Sequence, residues 1–169
     1  LTPSYNMEIC RDRVIGAVHT TIKLTGYHRL AFPVKSCVVL LGGDMLENVA
    51  TFPGQAFEVE AGVFEQVWHT VGIIRDSLTT LAGCFEHVDV YWAIGNHGRI
   101  ARKGDHPRGD NWDRFIYSIA AELHPPNVTW HETVGWHKLV EIGEYRALLT
   151  HGDLVGAAPK TIQDKVNKW

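Results

Sequence analysis

The sequence predicts an α/β or α+β fold built as one domain. Helix-like and strand-like segments alternate in the early part of the chain, and three more strand-like segments follow near its end. This order is typical of a sheet packed against helices. The chain has 169 residues, which is the size of one domain, so we expect residues 1–169 to share one hydrophobic core.

The first half of the chain contains two predicted helices and one predicted strand. Apolar residues at helical spacing predict a helix over residues 5–24, which we expect to end at Gly26. The apolar run 37–41 predicts a buried strand that stops at Gly42–Gly43–Asp44. A longer helical pattern then covers residues 55–81.

The second half of the chain has one predicted helix among four predicted strands. The apolar run 88–94 predicts another buried strand, which stops at Gly95–Asn96. A helical pattern over residues 112–123 ends before two prolines, which a helix interior does not tolerate. The last three predicted strands cover residues 128–131, 136–142 and 145–150, and the last two are joined by a tight turn.

Composition and charge exclude several classes of protein. With 45% hydrophobic residues the chain is too apolar to be disordered, and its apolar runs are too short to cross a membrane. Sixteen Lys and Arg against nineteen Asp and Glu give a net charge of −3, which leaves only a local patch for any nucleic-acid contact. Cys10, Cys37 and Cys84 form no C-x-x-C pair, so we expect free, buried thiols in the reducing cytoplasm.

Polar residues able to bind a metal follow three of the predicted strands. These residues are Asp44, Asn96 with His97, and His151. In sheets of this class, ligands bind at the carboxyl ends of the strands. Each residue alone is a common turn or edge residue, but the ordered set of carboxylate, amide and imidazole favours a site for manganese, iron or zinc. We expect His97 to stay off the metal and to act as an acid or as a partner of a phosphate.

Three blocks of the sequence resemble those of one enzyme family. Residues 41–48 (LGGDMLEN) look like the G-D-x-x-[DE] block of the calcineurin-like metallophosphoesterases. Gly95–Asn96–His97 resembles the G-N-H block of that family, and residues 149–152 (LTHG) resemble its later strand-end histidine. The residues Asn96–His97–Gly98–Arg99 are similar to those of phage and bacterial members of the DNA-repair exonuclease type.

This resemblance implies a fold, cofactors and residue roles. The fold would be a four-layer α/β/β/α sandwich with two sheets. The cofactors would be two divalent metal ions, manganese foremost, with iron and zinc as alternatives. Asp44 would bridge the two ions, Asn96 and His151 would bind one of them, and His97 would be the catalytic histidine that binds neither.

Two blocks of the family are absent from the sequence. The family opens with D-x-H and closes with G-H-x-H, and neither pattern occurs here. We therefore expect an internal portion of a longer chain, lacking the first and last motif strands of the sandwich. The first residue, Leu1, favours the same interpretation. A further departure is Gly98, where the family usually has an acidic residue.

A basic segment directly follows the G-N-H block. Residues 97–108 contain Arg99, Arg102, Lys103 and Arg108 against one Asp. We take Arg99 and Arg102 as candidate substrate-binding residues, because guanidinium groups bind phosphate well. The alternative is an ordinary solvated loop. Near the end of the chain, Asp153 is either a substitute metal ligand, an acceptor for His151, or a plain loop residue.

The sequence therefore predicts a metal-dependent phosphoesterase that hydrolyses phosphodiester bonds, acting as a DNA exonuclease or endonuclease. Two alternatives stay open: a small-molecule phosphodiesterase or phosphatase, and a degenerate, non-catalytic binding subunit of the same fold. The expected partners are DNA or another phosphoester substrate, and either a second copy of the chain or an ATPase subunit. No membrane partner is expected.

Overall fold

The computed structural model describes residues 5–102, 104–133, 137–153 and 164. It has three α-helices, five strands and one 3-10 turn over these residues. In chain order they are α1 (Met7–His28), β1 (Ser36–Leu41), the 3-10 turn (Gln55–Phe57), α2 (Val63–Ala82), β2 (His87–Trp92), α3 (Trp112–Glu122), β3 (Val128–Trp130), β4 (His137–Ile142) and β5 (Tyr145–Thr150).

The strands form a parallel sheet and a separate hairpin. The sheet has the order β1-β2-β3, so β2 lies in its centre, and its neighbours run parallel to it. Leu41 pairs with Trp92, which brings the carboxyl ends of β1 and β2 side by side. The second sheet is the antiparallel hairpin β4-β5. The predicted mixed α/β class is confirmed.

The hydrophobic core lies between the parallel sheet and helices α2 and α3. Val88 and Val90 of β2 are completely buried, as is Ile116 of α3. The Trp92 ring packs at 5.2 Å from that of Tyr117, and the Tyr117 hydroxyl donates to the carbonyl of Ala93 at 3.2 Å. Because Ala93 directly follows β2, this bond joins α3 to the strand end where the candidate site begins.

Strand β1 is less buried than its apolar sequence predicts. Val39 and Leu41 are partly buried against the core, whereas Leu40 is 43% exposed. The physical reason is position, because β1 is an edge strand of the parallel sheet as far as the structure describes it. A continuous apolar run marks a strand but does not say on how many sides it is covered.

Two predicted helix boundaries were wrong. The first helix does not end at Gly26 but continues to His28, since a single glycine costs a helix only about 1 kcal/mol. The long pattern 55–81 contains the 3-10 turn and a separate helix that begins at Val63. The Glu65 carboxylate accepts the Gly62 N–H at 3.0 Å and so caps the start of α2.

The remaining predicted elements agree with the structure to within two residues, and the predicted turn at Gly143 joins β4 to β5. Trp136, the predicted first residue of one strand, lies outside the described residues. All three cysteines are free thiols, but each is only half-buried. No helix within the described ranges combines the length and apolar character that crossing a membrane requires.

Candidate metal centre

Three of the predicted site residues meet at the carboxyl ends of β1, β2 and β5. The His151 Nε2 atom lies 3.2 Å from Asp44 Oδ2 and 3.1 Å from Asn96 Oδ1. We call Asp44, Asn96 and His151 the strand-end cluster. Its members are at least 52 residues apart in the sequence, so only the topology of the two sheets brings them together.

The imidazole of His151 is oriented by the main chain. Its Nδ1 atom lies 2.9 Å from the carbonyl oxygen of Gly42, which can only accept a hydrogen bond. Nδ1 therefore carries a proton, and Nε2 points at two further oxygen atoms. A backbone carbonyl that fixes the far nitrogen is the usual support of a metal-binding histidine.

The spacing of these donor atoms fits one divalent cation. Atoms that each lie about 2.1 Å from a common ion are about 3.0 Å apart at right angles and about 3.4 Å apart at the tetrahedral angle. The two observed separations, 3.1 and 3.2 Å, fall in this interval. A mixed oxygen and nitrogen set suits manganese, iron or zinc. These two separations agree with a shared cation and equally with direct hydrogen bonds from the imidazole.

The described residues do not supply a second complete set of ligands. No group of three or more His, Cys, Asp or Glu side chains arranged for a metal occurs among them. The strand-end cluster contains one carboxylate, one imidazole and one amide. Asp44 Oδ1, on the other side of the carboxylate, accepts the His97 backbone N–H at 2.8 Å.

The two loops that carry Asp44 and Asn96 touch through glycines. Gly43 has a φ of +89°, and Asp44 itself has a φ of +54°, a conformation that few residues other than glycine adopt. A Cβ atom on Gly95 would collide with the backbone nitrogen and the carboxylate of Asp44. Gly-Gly-Asp and Gly-Asn are therefore needed here for close approach as well as for turning the chain.

Asp113, which the sequence analysis did not select, holds these two loops together. Its side chain is fully buried at the start of α3. Its carboxylate accepts the backbone N–H groups of Asp44 at 2.9 Å, Met45 at 3.0 Å and Gly95 at 2.7 Å. Burial raises the pKa of the Asp113 carboxyl, and the three N–H donors only partly oppose this effect.

Asn48 makes a second buried connection between the same loops. Its side chain is 2% exposed, and its Nδ2 atom donates to the carbonyls of His97 at 2.6 Å and Arg99 at 2.7 Å. Gln66 of α2 accepts the Asn48 backbone N–H at 2.9 Å. We call Asp113 and Asn48 the buried clamp, because together they fix the two loops that carry Asp44 and Asn96.

His97 lies beside the strand-end cluster without joining it through its ring. Its Nδ1 atom lies 3.0 Å from the carbonyl oxygen of Glu47, so Nδ1 donates and Nε2 is the nitrogen left for a substrate. The side chain lines a cavity of about 530 Å³ between α1, α2 and the loop after β1, which Asp44 also lines. The structure therefore separates the ring of His97 from the described contacts of the strand-end cluster.

The basic segment divides into two parts. Arg99 and Arg108 line a second cavity of about 310 Å³ together with Asn96 and Asp153. Asp153 forms ion pairs with both arginines rather than contacting the strand-end cluster. Arg102, the other candidate substrate-binding residue, is exposed and does not line a described cavity. Lys103 lies outside the described residues.

The clamp residues left only weak signals in the sequence. Asp113 reads as an acidic residue in the first turn of a helix, and Asn48 as a loop residue, which are ordinary local roles. Their partners lie far away in sequence.

Comparison with known proteins adds nothing to this picture: no family model, no curated protein and no solved structure matches the chain.

Proposed function

We propose that the chain belongs to a metal-dependent phosphoesterase that hydrolyses phosphodiester bonds in DNA. The observation that carries the proposal is the convergence of Asp44, Asn96 and His151, with His151 already oriented by the Gly42 carbonyl. The resemblance to calcineurin-like metallophosphoesterases, with its four-layer sandwich, points to the same chemistry. We propose one cation for the residues described and a second that would share Asp44 with ligands from elsewhere.

The roles of the residues follow from their positions. A bound divalent cation would polarise a phosphoryl oxygen and lower the pKa of water. Asp44, Asn96 and His151 would hold that cation. His97 would donate a proton from Nε2 to the leaving oxygen, since Glu47 fixes its ring from the other side. Arg99 would bind phosphate from the second cavity.

Metal binding and hydrolysis should be measured separately. Titration with Mn²⁺ in a calorimeter should give one site, and Asp44→Ala or His151→Ala should weaken it by about tenfold or more, because each removes a direct ligand. His97→Ala should leave the affinity for Mn²⁺ nearly unchanged. His124→Ala is the matched control, since His124 is an exposed histidine whose described contact is with the neighbouring carbonyl of Pro125.

Hydrolysis is then followed with bis-p-nitrophenyl phosphate and with a DNA oligonucleotide in the presence of Mn²⁺. Asp44→Ala and His97→Ala should both lose activity, the second without losing metal. Cleavage of the small ester but not of the oligonucleotide would favour the small-molecule phosphodiesterase. Binding of Mn²⁺ without any hydrolysis would favour the non-catalytic binding subunit, and absence of Mn²⁺ binding would overturn the metal centre.

A further inference from the structure

We propose that the cavity beside His97 binds the leaving group of the substrate, and that this group is a nucleoside without a further phosphate. The inference rests on the proposed phosphoesterase function, and it names the part of the substrate that this side of the site would hold. It implies cleavage of the phosphodiester bond that attaches the last nucleoside at one end of a DNA strand. A strand cut in its interior would leave with phosphates of its own.

The first support is that Asp44 of the strand-end cluster and His97 line the same cavity. Its volume is about 530 Å³, which is within the range for ligand sites. The Nδ1 atom of His97 lies 3.0 Å from the carbonyl oxygen of Glu47, which leaves Nε2 for the substrate. A phosphoryl group held at the cluster would therefore have its leaving oxygen beside His97 and the rest of the leaving group in the cavity.

The chemical step is consistent with this placement. Water would form a bond to phosphorus and release one proton to solvent, while the bond between phosphorus and the leaving oxygen breaks. The leaving oxygen would take a proton from His97 Nε2 and become a hydroxyl group of the released nucleoside. The group in the cavity thus leaves as an uncharged alcohol, and the phosphate stays on the other product as a monoester.

The second support is the apolar inner wall of the cavity. Leu46, Ala61 and Ile73 line it and are 5%, 8% and 6% exposed. Two polar side chains of the same wall, Thr70 and Gln66, already have hydrogen-bond partners within the protein. The wall therefore offers mainly apolar contact, which suits the face of a nucleobase and gains nothing from a phosphate.

The third support is the charge at the rim of the cavity. The side chains of Glu47, Glu58 and Glu60 line it and are exposed, and no lysine or arginine lines it among the residues that the structure describes. Arg13 lies 5.2 Å from the centre of the Tyr5 ring but is not part of the lining. Carboxylates accept hydrogen bonds from hydroxyl and N–H groups and repel phosphate, so the rim favours a nucleoside over a nucleotide.

The walls of the cavity are joined by contacts outside the strand-end cluster. The Met7 backbone N–H donates to the Glu60 carboxylate at 2.9 Å, and the Met7 carbonyl oxygen lies 2.8 Å from His69 Nε2. An ion pair between Arg11 and Asp76 also joins α1 to α2. Because these contacts fix the start of α1 against α2, a ligand that enters the cavity need order little of the protein.

The first test measures binding without metal, by calorimetry of the whole chain in EDTA. Thymidine should bind at least about tenfold more tightly than thymidine 3′,5′-bisphosphate, because whichever oxygen faces His97, the other phosphate would meet the carboxylates. Cys10→Phe should weaken binding of thymidine about tenfold or more, since Cys10 lines the cavity and the ring would fill part of it. Val14→Phe, at an exposed position one turn along α1, is the matched control and should leave this affinity unchanged.

Glu58→Gln tests the charge at the rim. Removal of this exposed carboxylate should strengthen binding of the bisphosphate about two- to fivefold, and added salt should reduce the gain. Glu122→Gln removes the same charge at the end of α3, away from the cavity, and should change nothing. Equal gains in the two variants would overturn the role of the rim. If Cys10→Phe does not fold, this pair of variants decides the site.

The second test follows hydrolysis of dTdT, pdTdT and dTdTp with Mn²⁺. The dinucleotide dTdT should release thymidine, and the form with a phosphate on the leaving nucleoside should be cleaved at least about tenfold more slowly. Equal cleavage of all three would overturn the proposal. Absence of hydrolysis from all three would contradict the proposed function, whereas binding of thymidine in EDTA and its loss in Cys10→Phe would still support the nucleoside site.

Choline is the remaining arm, because the three glutamates would also attract a cation. Tighter binding of choline than of thymidine, with the same loss in Cys10→Phe, would overturn the assignment to a nucleoside. Absence of thymidine binding in EDTA would overturn the site itself.

Discussion

The strand-end cluster is flanked by two groups of polar side chains that differ in burial. The buried clamp, Asp113 and Asn48, is 0% and 2% exposed and bonds to backbone groups of both site loops. Arg108 and Asp153, on the other flank, meet at 3.6 Å with side chains 45% and 19% exposed. The first group fixes the course of the backbone, whereas the second forms an ion pair that is partly open to solvent.

The energetic reason is the different cost of losing a partner. A buried N–H group without an acceptor costs about 1–3 kcal/mol, because it has lost its hydrogen bond to water without gaining another. A partly exposed charge without its partner regains water and loses about 1 kcal/mol at most. The clamp should therefore contribute more to stability than the ion pairs of Asp153 with Arg99 and Arg108, which we call the arginine flank. The following variants test that division, beginning with the largest expected effect.

Asp113→Ala should destabilise the protein most. It leaves three N–H groups without an acceptor, the buried one of Gly95 and the partly buried ones of Asp44 and Met45. We expect a loss of about 3–6 kcal/mol in the free energy of unfolding by urea, a large part of the stability of one domain. Asp110→Ala is the matched control, since that exposed aspartate lies three residues earlier. A loss below about 1 kcal/mol for Asp113→Ala would contradict the clamp.

Gly95→Ala should have the next largest effect, since its Cβ would collide with Asp44. Forcing a methyl group into such a contact costs about 1–3 kcal/mol. The same change should weaken Mn²⁺ binding, because it separates the loops that carry Asp44 and Asn96. Gly16→Ala is the control: a Cβ there meets nothing within 4 Å, in the middle of α1, and should stabilise the protein by about 0.5–1 kcal/mol. Equal effects of the two substitutions on urea unfolding would contradict the close approach.

Asp153→Asn should change stability by less than about 1 kcal/mol, in contrast to Asp113→Ala. Its carboxylate is in ion pairs at 3.6 and 3.9 Å and accepts no described hydrogen bond from a buried group. Urea unfolding at two salt concentrations would measure both the size of the effect and its screening. A loss of several kcal/mol would mean that Asp153 acts like the buried clamp rather than as part of the arginine flank.

The sequence predicted the strand ends of the site because local signals define them. The apolar run before Gly42 must stop where glycines and an aspartate begin, and the same is true before Gly95. Parallel neighbours then place both ends on one edge, so Asp44 and Asn96 had to be close. The position of His151 beside Asp44 and Asn96 depends on where the β4-β5 hairpin packs. The order of the three family-like blocks suggested that position, whereas hydrophobic periodicity alone did not.

The clamp and the arginine flank depend on contacts that local patterns do not record. Asp113 binds backbone groups 18 to 69 residues earlier in the chain, and its place in the first turn of a helix gives no sign of these contacts. In the basic segment, Arg99, Arg102 and Arg108 look equivalent by charge. The backbone contacts of Arg99 and the position of Asp153 distinguish them, and both are products of the tertiary fold.

Asp76 extends the comparison to a surface ion pair far from the site. It joins α2 to α1 through Arg11, and the hydrogen bond from Arg11 lowers the pKa of the Asp76 carboxyl. A lowered pKa in the folded state means that the pair stabilises the protein above the ordinary pKa of aspartate, near 3.8, and that this contribution is lost as the pH falls through the lowered value. Asp113, whose pKa is raised by burial, should do the opposite: its ionisation costs stability as the pH rises above that ordinary value.

The lowered pKa of Asp76 gives the prediction with the smallest effect on stability. Asp76→Asn should lower the free energy of unfolding by about 0.5 kcal/mol at pH 7, since both partners are about one third exposed, and this difference should shrink as the pH falls below about 3.8. Asp12→Asn, at an exposed position of α1, should show no such pH dependence. A difference that does not shrink at all below about pH 3.8 would mean that Asp76 acts through packing rather than charge. The two carboxyl groups differ mainly in burial. Burial raises the pKa of Asp113, whereas the hydrogen bond from Arg11 lowers the pKa of the more exposed Asp76.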